Sequence, residues 1–326
     1  MSRWGAVATA ALLLALAACS RPAPTTPHTV FVSDEQANVV HVLDGQRLAE
    51  VARIAVGRRP RGMALSPDGA TLYVAVSHDD RIVAIDTRSR RVRASLKSGP
   101  DPERFALSPD GRTIYVANED DGKVSFLDIA SGRIRRETTV GPEPEGMAAS
   151  PDGRWVICTS EAASLVHFID AASGQLKDSI LVGARPRDAR FTPDGRQLWV
   201  TSEARATVAV FDAPSRKLVH TIDLRKADPP AAVQAVGLEM RRAADRLYVA
   251  LGRGDRVAEI DMRSLKVTRY FKAGRRVWGL SLSPDERRLY AAGGLSGDLS
   301  VIDLASGRTV RTLKLGGRPW GVVVSR

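Results

Sequence analysis

Two cysteines in 326 residues, Cys19 and Cys158, leave little material for disulfides or thiolate metal sites. The five histidines, His28, His41, His78, His167 and His220, form no Cys/His pair with metal-ligand spacing. No Cys-x-x-Cys-His run is present for haem attachment, no serine elbow, and no glycine loop of the phosphate-cradling kind. The expectation is therefore a chain with no catalytic residue set, no metal and no cofactor. Aromatic residues make up only 5% and do not interleave with basic ones, which argues against nucleic-acid binding despite a formal charge of +11. That charge reads as a solvated, arginine-rich surface.

Long apolar runs are missing too, with one exception at the start. Arg3 precedes an uncharged apolar stretch, Trp4–Ala18, and small residues lead to Cys19. This is the pattern of an export signal over residues 1–19. Leu16-Ala17-Ala18-Cys19 resembles a bacterial lipoprotein signal, which implies lipidation of Cys19. Ser20, a residue other than Asp, implies sorting to the periplasmic side of the outer membrane, with a soluble periplasmic protein as the alternative. Residues 20–28 read as a Pro-rich tether and 29–326 as the folded domain. Cys158, in the strand-like run Trp155–Cys158, reads as a small buried hydrophobe.

What the chain does have is a repeat. Ser108–Arg133 shows it best: a Ser-Pro-Asp-Gly turn, a β-branched and aromatic run at Ile114–Val116, a second run at Val124–Leu127 ended by Asp128, then Ser131-Gly132. The anchors Phe31, Tyr73, Tyr115, Ile157, Trp199, Tyr248 and Tyr290 are 42 residues apart, except for a step of 49 between Trp199 and Tyr248. Four strand runs per unit with no helical periodicity predict an all-β, seven-bladed propeller of four-stranded antiparallel blades. The first unit lacks its inner strand, and the chain ends on a spare one at Gly321–Ser325, so the C-terminal strand is expected to join the first blade and close the ring. A single ring of this kind is expected to be a monomer.

A residue repeated in every blade is scaffold, so function is sought where the blades differ. At the corner before each inner strand stand Arg59, Asp101, Glu143, Arg185, Gln234, Arg276 and Arg318, and two positions on stand Arg61, Glu103, Glu145, Arg187, Val236, Trp278 and Trp320. Two neighbouring blades thus carry paired acids, their flanking blades paired bases, and two more Arg with Trp. As a binding site, the set offers carboxylates and guanidiniums for polar groups and two indoles for stacking. As scaffold, it would form Arg–Glu pairs between blades with the tryptophans plugging the channel. The same end carries the acidic loops Asp34-Glu35, His78–Asp80, Glu119–Asp121, Glu161, Glu203 and Asp255, which read as solvated, and the seven-residue insertion within Asp223–Val236, a candidate docking loop.

The repeat resembles the YVTN family of seven-bladed β-propellers. Gly57–Gly69, Ser98–Asp121, Val140–Gly153, Gly183–Glu203, Arg276–Leu280 and Gly317–Val324 more closely resemble the propeller proteins associated with PQQ-dependent alcohol catabolism. That resemblance implies an exported binding or scaffold protein beside a periplasmic quinoprotein dehydrogenase, its cytochrome c, or a linked transport component, with a lipid anchor as this chain's departure. It assigns no catalytic residue. Two alternatives are a lactonase-like propeller hydrolase using Glu103 or Glu145 as general base, and a structural surface adhesin.

Overall fold

A computed structural model describes residues 26–225 and 232–325. The expected signal peptide, Cys19 and most of the tether lie outside these residues, as does the centre of the insertion in blade 6.

The described chain forms seven four-stranded antiparallel sheets. From the inner to the outer strand, blade 2 is Pro60–Leu65, Thr71–Val76, Arg81–Asp86 and Arg91–Lys97. Blades 3 to 7 repeat the order from inner strands Pro102–Leu107, Pro144–Ala149, Pro186–Phe191, Leu238–Met240 and Val277–Leu282. Blade 1 takes its inner strand, Pro319–Val324, from the C-terminus and pairs it with Thr29–Asp34 through Val30↔Val324, Phe31↔Val323 and Val32↔Val322. The two ends also bond directly: the Thr29 amide donates to Ser325 Oγ at 2.8 Å and the Ser325 amide to the Thr29 carbonyl at 2.9 Å. The ring is therefore closed by strand pairing, with no exposed sheet edge at the seam.

The middle strands are buried on both faces because each sheet packs between two others. Tyr115, Val124, Phe126, Met147, Val156 and Cys158 make one such layer between blades 3 and 4. Cys158 is fully buried, and burial pushes its thiol far above the usual range. The repeated Asp and Ser are turn chemistry, as expected. Asp128 Oδ1 accepts from the Ser131 amide (2.9 Å) and hydroxyl (2.5 Å), and Ser108 Oγ donates to Asp110 Oδ1 (2.5 Å) ahead of Gly111 at φ 68°.

Two backbone devices aim the variable residues. The corner residue before the inner strand adopts left-handed φ in Arg59, Asp101, Glu143, Arg185 and Arg276, at 47–59°. The ladder then slips between, for example, Pro60↔Val76 and Met63↔Val74, with the same slip in blades 3, 4, 5, 7 and 1. Arg61, Glu103, Glu145, Arg187, Trp278 and Trp320 sit in these irregularities, where a bulge re-aims a side chain.

Candidate functional site

The corner residues converge at one end of the axis as a network of ion pairs between blades. Arg59 Nη1 lies 2.9 Å from Asp101 and 3.0 Å from Glu103, and Arg61 reaches Glu35 and Glu103, each at 3.2 Å. In the next two blades, Arg187 meets Glu145 (3.3 Å), Glu161 (2.7 Å) and Glu203 (2.5 Å), and Arg185 pairs with Glu161 and with Glu203 at 3.5 Å. Glu143 and Arg318 are exposed and join no ion pair among the described residues; the Arg318 amide instead donates to buried Asp34 at 2.9 Å.

The tryptophans close the channel. Trp278 and Trp320 stack 6.1 Å apart and are only 8% and 2% exposed. Arg276 lies over Trp278 at 4.6 Å, and Arg61 and Arg104 lie over Trp320 at 5.0 and 4.7 Å. Their faces are occupied by protein cations, so the indoles are a plug in this geometry and not an open stacking platform.

Several of the acids were expected to be solvated and are not. Glu35, Glu161 and Glu203 turn into the network, and Asp79 bonds Arg58 and Arg81. The arginines outreach their own loops, and burial at the axis makes pairing the cheaper arrangement. Two further participants stand one position past the corner pairs. That position reads Gly62, Arg104, Gly146, Asp188, Gly237, Gly279, Gly321. Glycine is needed because neighbouring inner strands touch there: a Cβ on Gly146 would lie 2.8 Å from the Arg187 carbonyl oxygen. Arg104 and Asp188 break the column and pair at 3.2 Å past Gly146, while Asp188 also accepts from the Leu238 amide at 2.9 Å. The broken column was the sequence signal for them.

Burial sets the electrostatics. Loss of water raises the Glu103 carboxyl well above the usual range; Glu145 and Glu119 push the same way, and Arg61 and Arg59 oppose it. Burial also raises Glu119, aided by Glu145. Glu161 is pushed up to about 7, by burial first and then by Glu145 and Glu203, against Arg187 and Arg185. Among the described residues, Asp101, Glu103 and Glu119 bring carboxylate oxygens within 4.8 Å of one another. Arg59 and Arg61 already lie against Glu103 there, at 3.0 and 3.2 Å, so the triad is arranged for internal pairing more than for a cation.

Below the plug the channel opens to the opposite end as a cavity of about 740 Å³. Arg104, Asp188 and Trp320 form its floor, Met63, Met147 and Phe191 part of its wall, and the Ser-Pro-Asp-Gly turns its mouth. This volume suits a small ligand.

A family model described as YNCE-like beta-propeller matches residues 3–131, less than half of the chain. No curated protein matches the sequence. Among solved structures, the periplasmic gluconolactonase PpgL of Pseudomonas aeruginosa is similar at 22% identity and a TM-score of 0.78, covering 92% of this chain and 99% of that one. A putative 6-phosphogluconolactonase from Bacteroides uniformis gives 16% and 0.77, covering 91% and 99%. The hydrazine synthase of Kuenenia stuttgartiensis gives 22% and 0.77, also covering 91% and 99%. None of these findings bears on PQQ or alcohol oxidation, and that resemblance stays with the sequence motifs. Likeness at such identities establishes architecture: the chain is a seven-bladed β-propeller, and its first blades match the YNCE-like description.

Proposed function

We propose that this chain is an exported, non-enzymatic binding propeller that recognises a basic partner protein with the corner end of blades 3 and 4. The observation that carries this reading is a concentration of acid on a protein of charge +11. Asp101, Glu119, Asp120, Asp121, Glu143 and Glu161 crowd the corners and loops of two adjacent blades, with Asp120 and Glu143 exposed. Arg59 and Arg187 fix the inner members in place, so the array is pre-organised. An acidic patch of this kind steers a lysine-rich surface into register. A c-type cytochrome serving a quinoprotein dehydrogenase fits that chemistry, as the sequence resemblance implies. The test is capture from periplasmic extract of cells grown on an alcohol, followed by affinity measurement at two salt concentrations. Glu143→Lys with Asp120→Lys is expected to weaken binding at least tenfold and to flatten its salt dependence. Equal capture by both proteins would remove the reading.

A second reading is favoured by Glu161, pushed up to about 7 by burial and by the neighbouring Glu145 and Glu203, which is a general base's range. Two of the structurally similar proteins are a periplasmic gluconolactonase and a putative 6-phosphogluconolactonase. Proton release from a gluconolactone, abolished by Glu103→Gln or Glu161→Gln, would establish hydrolysis in place of binding.

A further inference from the structure

The charge of +11 is divided unevenly between the two ends of the ring. Blade 3 shows the division best. At the corner end it carries Asp101, Glu103, Glu119, Asp120 and Asp121. At the other end Asp128 lies opposite Thr113, just after the Ser-Pro-Asp-Gly turn, and there the blade carries Arg112 and Arg133, with Arg135 and Arg136 following on its outer strand. Blade 2 repeats the arrangement. Asp79 and Asp80 stand at its corner end, and Arg88, Arg90 and Arg91 at the turn after Asp86.

The turn end stays basic because its acids are drawn into the backbone while its arginines are not. Asp86 Oδ1 accepts from the Ser89 amide at 2.6 Å and Asp128 Oδ1 from the Ser131 amide at 2.9 Å, and both residues are only 7% exposed. One arginine folds back on each: Arg93 on Asp86 and Arg135 on Asp128. Arg88, Arg90, Arg91, Arg112 and Arg133 are left exposed and join no ion pair among the described residues. The rim continues around the ring with Lys217, Arg263, Lys266, Arg287 and Arg308, all exposed.

These cations are spread over a rim of turns and do not converge on a point, so they build no pocket for a compact anion. They match an extended, planar array of negative charge whose members can shift to meet them, and guanidinium forks suit phosphate oxygens. The acidic corners lie at the opposite end, so the two ends form a dipole that orients the ring on such a surface. The first strand also starts on the basic side, with Thr29 opposite Asp44, so the chain before it leaves from the same face.

We infer that the turn end of blades 2 and 3 is a membrane-facing surface that binds the phosphate headgroups of an anionic bilayer and holds the acidic corners away from it. The attraction falls off within a Debye length, about 10 Å at moderate salt, so it acts only once this face is in contact. It is separate from whatever docks at the corner end.

The test is co-sedimentation of the exported chain carrying Cys19→Ser, so that no acyl chain contributes, with phosphatidylglycerol vesicles and, in a separate arm, phosphatidylcholine vesicles, at low and high salt. Partition onto phosphatidylglycerol only, reversed by salt, is the expected result. Arg88→Gln with Arg91→Gln and Arg133→Gln removes three exposed charges from the turn end and should weaken partition about tenfold or more. Arg205→Gln with Arg253→Gln and Arg275→Gln removes the same charge from exposed loops at the corner end and should leave partition nearly unchanged. No partition onto phosphatidylglycerol at low salt overturns the proposal, as does equal partition onto phosphatidylcholine. Equal weakening by the two triple variants also overturns it, because net charge and not one face would then be responsible.

Discussion

Replacing Glu161 by Gln tests the electrostatics of the corner end directly. Glu145, Glu161 and Glu203 crowd around Arg187, and the Glu161 carboxyl, 4% exposed, is raised from 4.5 to about 7. An acid whose folded value exceeds its unfolded value favours the fold while protonated. That contribution is fully present below pH 4.5 and is lost as pH rises through about 7. Holding the carboxylate ionised in place then costs about 3 kcal/mol at pH 8, from about 1.4 kcal/mol per pH unit of displacement. Urea unfolding of wild type and Glu161→Gln at several pH values between 4.5 and 8 isolates this group together with Glu145 and Glu203, which act on it, because the titrations away from this cluster are common to both proteins. Near pH 4.5 the two should be about equally stable. By pH 8 the variant should have gained about 3 kcal/mol on the wild type. A difference that stays flat, or that grows in favour of wild type, would show that Arg185 and Arg187 keep Glu161 ionised throughout, and the account of burial outweighing pairing would fail.

Two further outcomes follow from the packing. Arg104→Ala leaves Asp188 buried without its cation, which should cost about 3–5 kcal/mol in chemical denaturation; adding Asp188→Ala should recover part of that loss, and strict additivity would deny the pairing. Ending the chain at Gly317 removes Trp320, Val322 and Val324 from the seam between blades 7 and 1; a single cooperative unfolding transition of near wild-type midpoint in that truncated chain would show that closure contributes little.

The architecture was legible because it is written in local terms. A turn residue such as Asp128 and a strand anchor such as Tyr115 act within their own hairpin, and seven copies at a fixed spacing leave little ambiguity. The corner residues were legible as a set for the same reason: Arg61, Glu103, Glu145 and Arg187 occupy one column that the alignment of repeats exposes. What those side chains touch depends on the radius of the ring, which no single repeat contains. Trp320 placed on a wider ring would face solvent; on this one it meets Trp278 and two arginines. Arg104 and Asp188 went unread because their column, glycine, looks like scaffold until the exceptions are noticed. The acidic loops looked solvated because their partners, Arg61 and Arg187, come from sites distant along the chain.

Ring closure also fixes an orientation. Thr29 pairs with Asp44, where the third strand of its blade ends, so the chain enters the propeller at the same end as the cavity mouth. Any attachment made through the preceding residues therefore pulls on that face. The acid-rich corners of blades 3 and 4 point the other way, and the axial cavity opens on the side where Thr29 enters the ring.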